Sequence, residues 1–124
     1  MTYLDTHVVA WLYGGDLEKL SKTAVEEVQK NDTLISPMVF LELQYLFEIG
    51  RAASPAAMVI EALSQSIGLS VCRLPFAEIV QSALKLKWVR DPFDRLIVAH
   101  ASANDAPLVT KNQRIRRHYK RAIW

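Results

Sequence analysis

A single carboxylate lies within an otherwise apolar stretch near the middle of the chain. Residues 37–47 read PMVFLELQYLF, and Glu42 is the only charged residue among them. Apolar residues at helical spacing share its face: Met38, Tyr45, Leu46 and Ile49. A carboxylate on such a face costs several kcal/mol unless a cation or hydrogen bonds compensate. A metal ion would compensate; the alternatives are a salt bridge to an arginine, or a helix that turns Glu42 toward solvent.

Two more acids occur at the start of the later segment DPFDRLIVAHA. Asp94, Ile97 and Val98 fall on one helical stripe, and because the aliphatic residues must face the core, Asp94 is drawn toward it. The alternative is that Asp94 only stabilises the helix dipole. Asp91 precedes a proline at the N-cap position, so we favour a capping role for it, with a supporting role at the site as the alternative.

Asp5 directly follows a short apolar segment, a position where an acid often serves as a turn or helix cap. Its place at a strand end would nevertheless bring it to the same edge of a sheet as the other acids. Carboxylates that close together repel one another and need a divalent cation to stay ionised. Oxygen ligands favour Mg²⁺ or Mn²⁺ over Zn²⁺. We therefore predict that Asp5, Glu42 and Asp94 hold a metal ion.

The elements that would position these acids alternate between short strands and helices. Strands are expected at 2–4, 33–35, 69–74 and 107–110, with an optional edge strand at 122–124. Helices are expected at 6–13, 21–30, 37–49, 55–67, 75–87 and 92–104, with a short basic helix or turn at 114–119. Ser36-Pro37 and Ser54-Pro55 both read as helix starts, and Gly50 and Gly68 as helix stops. The alternation predicts an α/β domain in which a mainly parallel sheet of four to five strands is flanked by helices.

Ligands of parallel sheets bind beyond the carboxyl ends of the strands. Asp5 follows the first expected strand and Ser36 the second, while Thr110, Lys111 and Asn112 follow the fourth. We expect all of them at one edge of the sheet.

The composition fits one globular domain, since 51% of the 124 residues are hydrophobic and 23% are charged. No apolar run is long enough to span a membrane. The opening MTYLD lacks the features of a signal peptide, and the lone Cys72, expected to be buried and inert, excludes an internal disulfide. We expect a cytoplasmic protein.

The basic residues are concentrated at the end of the chain. The net charge is only +2, but no acid follows Asp105. Four basic residues of this region are candidates for contact with an RNA backbone: Arg114, Arg116, Arg117 and Lys120. A solvated surface helix explains the same pattern on composition alone.

Taken together, these segments resemble the VapC branch of the PIN-domain family. The resemblance rests on YLDTHVVAWL, SPMVFLELQYL, DPFDRLIVAHA and PLVTKNQRIRRHY, which cover almost the whole chain. It implies a single PIN domain over residues 1–124, an α/β/α sandwich, and an endoribonuclease that depends on Mg²⁺ or Mn²⁺. It also implies the toxin of a toxin-antitoxin pair, which forms a homodimer and is held inactive by a VapB-like antitoxin.

The site pattern of the family can be carried over residue by residue. Its three acids match Asp5, Glu42 and Asp94; Thr6 and Thr110 match hydroxyl residues beside them, and Asp91 is a supporting candidate. The family often has a fourth acid where this chain has Asn112. An amide oxygen can still coordinate a hard cation or orient a water, but the missing charge should weaken one metal position.

The predicted reaction is hydrolysis of a phosphodiester in single-stranded or looped RNA by a metal-activated water, with Asn112 and Thr110 orienting water or a second ion. No histidine-based triad is convincing, because His7, His100 and His118 are scattered. Three alternatives stay open. They are a catalytically weakened PIN-like module that binds RNA or a partner, an RNA-processing nuclease that is not a toxin, and a less favoured phosphoacceptor or phosphatase domain.

The helix expected at 37–49 is apolar nearly all round, since Val39, Phe40, Leu43 and Phe47 cover what the face of Glu42 does not. Either a second copy or an antitoxin helix covers it, or the helix at 55–67 buries it within the monomer.

Overall fold

The computed structural model describes residues 1–124, which form five strands and seven helices. The strands are β1 (Thr2–Leu4), β2 (Thr33–Ile35), β3 (Ser70–Val71), β4 (Leu108–Val109) and β5 (Ala122–Ile123). The helices are α1 (Thr6–Gly14), α2 (Lys22–Lys30), α3 (Pro37–Glu48), α4 (Ala56–Ile67), α5 (Phe76–Ala83), α6 (Pro92–Ala103) and α7 (Gln113–His118), with a 3₁₀ turn at Leu17–Lys19. None of the helices combines the length and the apolar character that crossing a bilayer requires.

The strands form one sheet in the order β3-β2-β1-β4-β5, and every neighbouring pair is parallel. The predicted α/β fold is therefore confirmed, with the optional fifth strand present at an edge. The chain builds outward from β1 through β2 to β3 and then returns to place β4 on the other side of β1. This topological switch point is where ligands bind in such sheets. Asp5 follows β1 and Thr110 follows β4, so these two residues flank it.

Local side-chain caps explain where most helices begin. The side chains of Ser21 and Ser36 accept from backbone N–H groups at the starts of α2 and α3, each at 3.0 Å. Asp91 caps α6 by accepting from the Asp94 N–H at 3.0 Å, which confirms its predicted capping role. Gly68 ends α4 with φ 71°, a left-handed conformation that glycine adopts without strain.

The structure departs most clearly from the sequence-based expectation at three places. Ser54 does not cap α4, because its hydroxyl is bonded to the Tyr13 hydroxyl at 3.2 Å and Pro55 takes the cap position. Helix α5 ends at Ala83 rather than near residue 87, where the Arg95 guanidinium donates hydrogen bonds to the carbonyl oxygens of Ala83 (2.7 Å) and Leu84 (3.2 Å). Strand β3 is shorter than expected because its partner β2 has only three residues.

The core lies between the sheet and its helices and includes the fully buried Tyr3, Ile35, Ile97 and Leu108. Cys72 is buried, as expected, and its Sγ accepts a hydrogen bond from the Tyr3 hydroxyl at 3.0 Å. The residues at the carboxyl edge of the sheet thus project from a rigid support.

Candidate functional site

Four carboxylates gather at the carboxyl edge of the sheet and are called the acidic cluster: Asp5, Glu42, Asp91 and Asp94. Asp5 is buried directly after β1, and Glu42 is half-buried on α3. Asp94 is half-buried in the first turn of α6, three residues after its cap Asp91. The structure therefore brings the three predicted metal-binding residues to one region from three separate parts of the chain.

The electrostatics of the acidic cluster show that its members interact. Burial raises the pKa of Asp94 to about 7, and the negative charges of Asp5 and Asp91 contribute to that rise. Glu42 adds a smaller contribution to the pKa of Asp94. Burial likewise raises the pKa of Glu42, although a hydrogen bond from Thr6 works in the opposite direction. A carboxyl with a pKa near neutrality, surrounded by like charges, is a common sign of a functional site.

Two threonines orient the carboxylates. The Thr110 hydroxyl donates to Oδ2 of Asp5 at 2.6 Å, across the switch point between β1 and β4. The Thr6 backbone N–H donates to Oδ1 of Asp5 at 2.8 Å. The Thr6 hydroxyl donates to Oε1 of Glu42 and so links the first acid to the second. These buried hydrogen bonds restrict the rotamers of both acids.

The donor set suits a hard divalent cation. No lysine or arginine forms an ion pair with any member of the acidic cluster; the imidazole of His7, whose pKa is lowered by burial, has its Nδ1 3.8 Å from Oδ2 of Asp5. Four carboxylates without a compensating cationic side chain form an environment that favours Mg²⁺ or Mn²⁺.

The acidic cluster does not form a closed ligand shell as its side chains stand, because no three His, Cys, Asp or Glu side chains converge closely enough to hold a metal ion. Both oxygens of Asp5 are engaged by threonine donors, and unshielded like charges favour rotamers that point apart. The raised pKa of Asp94 shows that the carboxylates influence one another, although their side chains do not converge as ligands. The two findings are compatible, because charges interact over longer distances than a metal–ligand bond spans. Ligation of one shared ion by Asp5, Glu42 and Asp94 stays a prediction.

The surroundings of Glu42 differ from the sequence-based interpretation. Tyr45 and Ile49, which share its helical face, are exposed rather than buried around it. Glu42 is shielded instead by the start of α1, where Thr6 contacts it. Tertiary packing against α1 therefore contributes to its burial, while Tyr45 and Ile49 of its own helix do not.

Asn112 has a structural role at the site. Its side-chain oxygen caps α7 by accepting from the Ile115 N–H at 3.0 Å, and its backbone N–H donates to the Thr110 hydroxyl at 3.0 Å. The oxygen that was expected to coordinate a cation or orient a water is thus already an acceptor. A catalytic role for Asn112 stays a prediction.

A cavity of about 650 Å³ opens beside the acidic cluster. Its polar lining includes Asp91, Asp94, Asn112, Arg90, Arg114 and Arg117. The buried Asp5 and the half-buried Glu42 do not line it. Anionic groups that enter this cavity would meet arginine side chains beside the carboxylate of Asp94.

The predicted RNA-binding residues divide between two cavities. Arg114 and Arg117 line the first. Arg116 and Arg117 line a second cavity of about 560 Å³ that also includes Trp124. Lys120 lines neither.

Two residues at the site were missed by sequence reasoning. Arg90 lines the first cavity, and its position next to Asp91 was the available signal. His7 was counted among scattered histidines, but its Nε2 accepts from the Lys111 N–H at 2.8 Å beside Asp5. Burial lowers the pKa of His7, against the opposing effect of the charge on Asp5. Only the pairing of β1 with β4 brings Lys111 to it.

The other histidines lie away from the acidic cluster, as expected. His100 is buried and its Nδ1 lies 2.9 Å from the Ser36 hydroxyl, while His118 stacks on Trp88 with ring centroids 4.9 Å apart.

Comparison with known proteins identifies relatives of this chain. The family model described as PIN domain matches residues 2–121. Ribonuclease VapC22 from Mycobacterium tuberculosis is 31% identical over 118 residues, which cover 93% of this chain and 89% of that protein.

Solved structures share the fold. A toxin-antitoxin complex from Klebsiella pneumoniae contains a chain that matches with a TM-score of 0.71 and 15% identity, over 100% of this chain and 97% of that one. VapBC2 from Rickettsia felis, bound to a DNA fragment from its promoter, contains a chain that matches with a TM-score of 0.59 and 23% identity, over 94% and 92% of the two chains. At these identities the structural matches support the fold alone.

Proposed function

The chain belongs to the PIN-domain family, and from this premise we propose that it is a VapC-type endoribonuclease that hydrolyses RNA phosphodiester bonds with the help of a divalent cation. The observation that carries the proposal is the acidic cluster, which has no cationic side chain paired to it and lies beside an arginine-lined cavity. The relative Ribonuclease VapC22, 31% identical over nearly the whole chain, supports the same reaction class.

Asp5, Glu42 and Asp94 would hold Mg²⁺ or Mn²⁺. When bound, such a cation polarises the scissile phosphate and lowers the pKa of an attacking water. The residues around the acids prepare the site. Thr110 keeps Asp5 oriented, Thr6 does the same for Glu42, and Asp91 secures the helix start that carries Asp94.

Arginines would position the substrate. Arg90, Arg114 and Arg117 lie around the same cavity as Asp94, so that they can hold phosphates on either side of the scissile bond. Arg95 is not one of them, because its guanidinium is committed to the carbonyls at the end of α5. The cavity can admit the sugar-phosphate backbone of an RNA strand that is not buried in a duplex, which favours single-stranded or looped RNA as the substrate.

The test is cleavage of transfer, ribosomal and messenger RNAs with and without Mg²⁺ or Mn²⁺. We expect metal-dependent cleavage by the wild type and at least a ~100-fold loss in Asp94→Asn, which removes a charge without changing shape. Asp105→Asn, outside the acidic cluster and paired with Arg121, is the matched control and should cleave normally. Equal cleavage in EDTA, or by Asp94→Asn, would refute the proposal.

A second candidate is a weakened PIN-like module that binds RNA without cutting it, and the engaged side-chain oxygen of Asn112 favours it. Titration with Mn²⁺ distinguishes the two. At a Mn²⁺ concentration 100 times the dissociation constant, a working metal site stabilises the wild type by about 2.7 kcal/mol and so raises its melting temperature, but it does not raise that of Asp5→Asn. Mn²⁺ binding without cleavage of any RNA would favour the binding module.

We further propose that the chain is the toxin of a toxin-antitoxin pair and acts on cytoplasmic RNA. Expression should arrest growth, and co-expression of a VapB-like antitoxin should restore it. The Asp94→Asn variant should be harmless while it still binds the antitoxin. Cleavage in vitro without growth arrest would point to an RNA-processing nuclease instead.

A further inference from the structure

Three aromatic rings meet beside the acidic cluster and are called the aromatic platform: His7, Trp11 and Trp124. The His7 ring centroid lies 5.0 Å from that of Trp11 and 6.3 Å from that of Trp124, and the two tryptophans are 6.1 Å apart. His7 and Trp11 are one helical turn apart on α1, while Trp124 directly follows β5. All three side chains are half-buried.

The rings of the aromatic platform contact one another at steep angles and not as a flat stack. Their planes are inclined at 57° to 65°, so none is stacked flat on another. The remaining tryptophan differs, because the Trp88 ring lies at only 17° to that of His118 and has one face covered. Lysine ammonium groups lie over the Trp11 ring, whereas Trp124 lines an open cavity and therefore keeps π-surface for a further planar group.

Positive charge surrounds the aromatic platform. The Nζ atoms of Lys19 and Lys111 each lie 5.9 Å from the centroid of the Trp11 ring. On the other side, Trp124 lines the cavity of about 560 Å³ that contains Arg116 and Arg117. A surface that offers both π-faces and cations matches the chemistry of an unpaired nucleotide, which has a planar base and a phosphate.

The aromatic platform is continuous with the acidic cluster. His7 Nδ1 lies 3.8 Å from Asp5 Oδ2, and His7 Nε2 accepts from the backbone N–H of Lys111, which follows β4. Because His7, Lys111 and Trp124 come just after three parallel strands, they share the sheet edge that carries Asp5.

We propose that the aromatic platform stacks an unpaired base of single-stranded RNA while Arg116 and Arg117 hold the neighbouring phosphates. This inference rests on the proposed ribonuclease function and deepens it by assigning a base subsite. Stacking on aromatic rings tolerates any base, since every base has a π-face. The subsite thus selects unpaired nucleotides over paired ones rather than one sequence.

Binding measured in EDTA, where cleavage is suppressed, tests the subsite. A short labelled single-stranded RNA is compared with an abasic oligonucleotide of the same length, which keeps the phosphates and lacks the bases. We expect the wild type to prefer the base-carrying strand by ~10-fold or more. Trp124→Leu and Trp11→Leu should lose that preference while their affinity for the abasic strand stays unchanged. Trp124→Phe should retain most of it.

Two controls separate stacking from other effects. Trp88→Leu removes a tryptophan outside the aromatic platform and should leave the base preference intact. Arg116→Ala should weaken both strands alike, because it removes a phosphate contact. In a Trp88→Phe background, fluorescence comes only from Trp11 and Trp124, and the base-carrying strand should quench it more than the abasic one. This readout keeps the native platform and does not depend on the folding of a leucine variant.

The proposal is overturned if folded leucine variants keep the base preference, if they lose affinity for both strands alike, or if the two strands quench equally. It is also overturned if Trp124→Leu weakens only antitoxin binding, because the aromatic platform would then dock a protein. Cleavage of RNA by the wild type without any base preference would refute the subsite alone. A wild type that neither binds nor cleaves RNA would refute the ribonuclease function and the subsite with it.

Discussion

At the scale of single residues, the chemistry depends on how each carboxylate of the acidic cluster is held. Asp5 accepts two hydrogen bonds from threonines and is buried. Asp94 is less enclosed and has no threonine partner, and its pKa is raised to about 7. The Asp5 carboxylate is thus held in one orientation by hydrogen bonds, whereas the ionisation of Asp94 is the one most altered by its surroundings.

Asp94 should make stability depend on pH when divalent cations are absent. Its pKa is about 7 in the folded protein against an ordinary 3.8, so between these values the folded protein binds a proton that the unfolded chain has released. Stability therefore falls as pH rises through this window. Without divalent cations, Asp94→Asn should exceed the wild type at pH 7 by on the order of 2 kcal/mol, after allowance for solvent screening.

Thermal or urea unfolding in EDTA from pH 3 to pH 7.5 measures this effect. The two stability curves should converge toward pH 3, where the Asp94 carboxyl is largely neutral in both the folded and the unfolded protein. Saturating Mn²⁺ should reverse the order at pH 7, since a bound cation favours the ionised acid. Parallel curves for the two proteins in EDTA would contradict the assignment.

Asn112→Asp tests whether the missing fourth acid limits metal binding. Aspartate retains the ability to cap α7, so the exchange adds charge with little change in the local fold. The new carboxylate would line the same cavity as Asp94. We expect a lower melting temperature in EDTA and ~10-fold tighter Mn²⁺ binding by calorimetry, in line with a Coulomb energy of a few kcal/mol at most.

Ser102→Asp is the matched control, because it adds the same charge on an exposed part of α6, two turns beyond Asp94. It should leave the affinity for Mn²⁺ unchanged. If both variants change the affinity equally, the effect is general electrostatics rather than a ligand position.

At the scale of elements, α3 has two apolar faces with different roles. Val39 and Leu43 are buried against the rest of the molecule, where α3 packs on α4, whereas Leu41 and Tyr45 are exposed. The alternative in which a neighbouring helix buries one face is therefore confirmed, and contact of the exposed face with a partner stays a prediction. Helix α5 and the residue that follows it present a second exposed apolar row, formed by Phe76, Val80 and Leu84.

We expect these exposed faces to form the contact of a homodimer. Leu41→Asp should weaken dimerisation by at least ~10-fold, because burying an unpaired carboxylate in an apolar contact is costly. Phe40→Asp and Phe47→Asp, in the same helix, test the same expectation. Sedimentation velocity measures the dimer, and the Mn²⁺ response should persist in the monomer.

Met58→Asp provides the matched control, since Met58 is an equally exposed apolar residue on α4. It should dimerise like the wild type. A wild type that stays monomeric at all concentrations, or a Leu41→Asp protein that dimerises normally, would contradict the expectation.

At the scale of the whole molecule, a small net charge of +2 hides a strong separation of charges. Carboxylates gather at the switch point, and arginines surround them on the cavity side. We call the cavity arginines Arg90, Arg114 and Arg117 the basic rim. The basic rim would attract the RNA backbone, and the acidic cluster would bind a cation.

The basic rim should determine the salt dependence of RNA binding. For single strands, each phosphate contact contributes about 0.7 to the slope of log affinity against log salt. Arg114→Ala and Arg117→Ala should each lower the slope by about that amount, measured in EDTA from low to moderate salt. Lys22→Ala, an exposed lysine on α2, should not change the slope. Equal slopes for all variants would exclude these arginines as phosphate ligands.

The sequence by itself determined the succession of elements and the identity of the acids. Helix starts depend on a capping side chain and its immediate neighbours, as at Ser36 and Asp91, and strand-helix alternation follows from local hydrophobic periodicity. The same local rule predicted that Ser54 caps α4, and this prediction was wrong. The Ser54 hydroxyl is instead hydrogen-bonded to Tyr13, which is distant in sequence.

Only the tertiary structure decided which distant residues meet. Thr110 reaches Asp5 across 105 positions because β4 returns to the side of β1, and Trp124 reaches Trp11 because β5 extends the same edge. Neither contact has a local signature, since strand order is a property of the whole sheet. The burial that raises the pKa of Asp94 is likewise produced by elements far away in the chain. The local sequence therefore indicated that Asp94 belongs to the site but could not indicate its raised pKa.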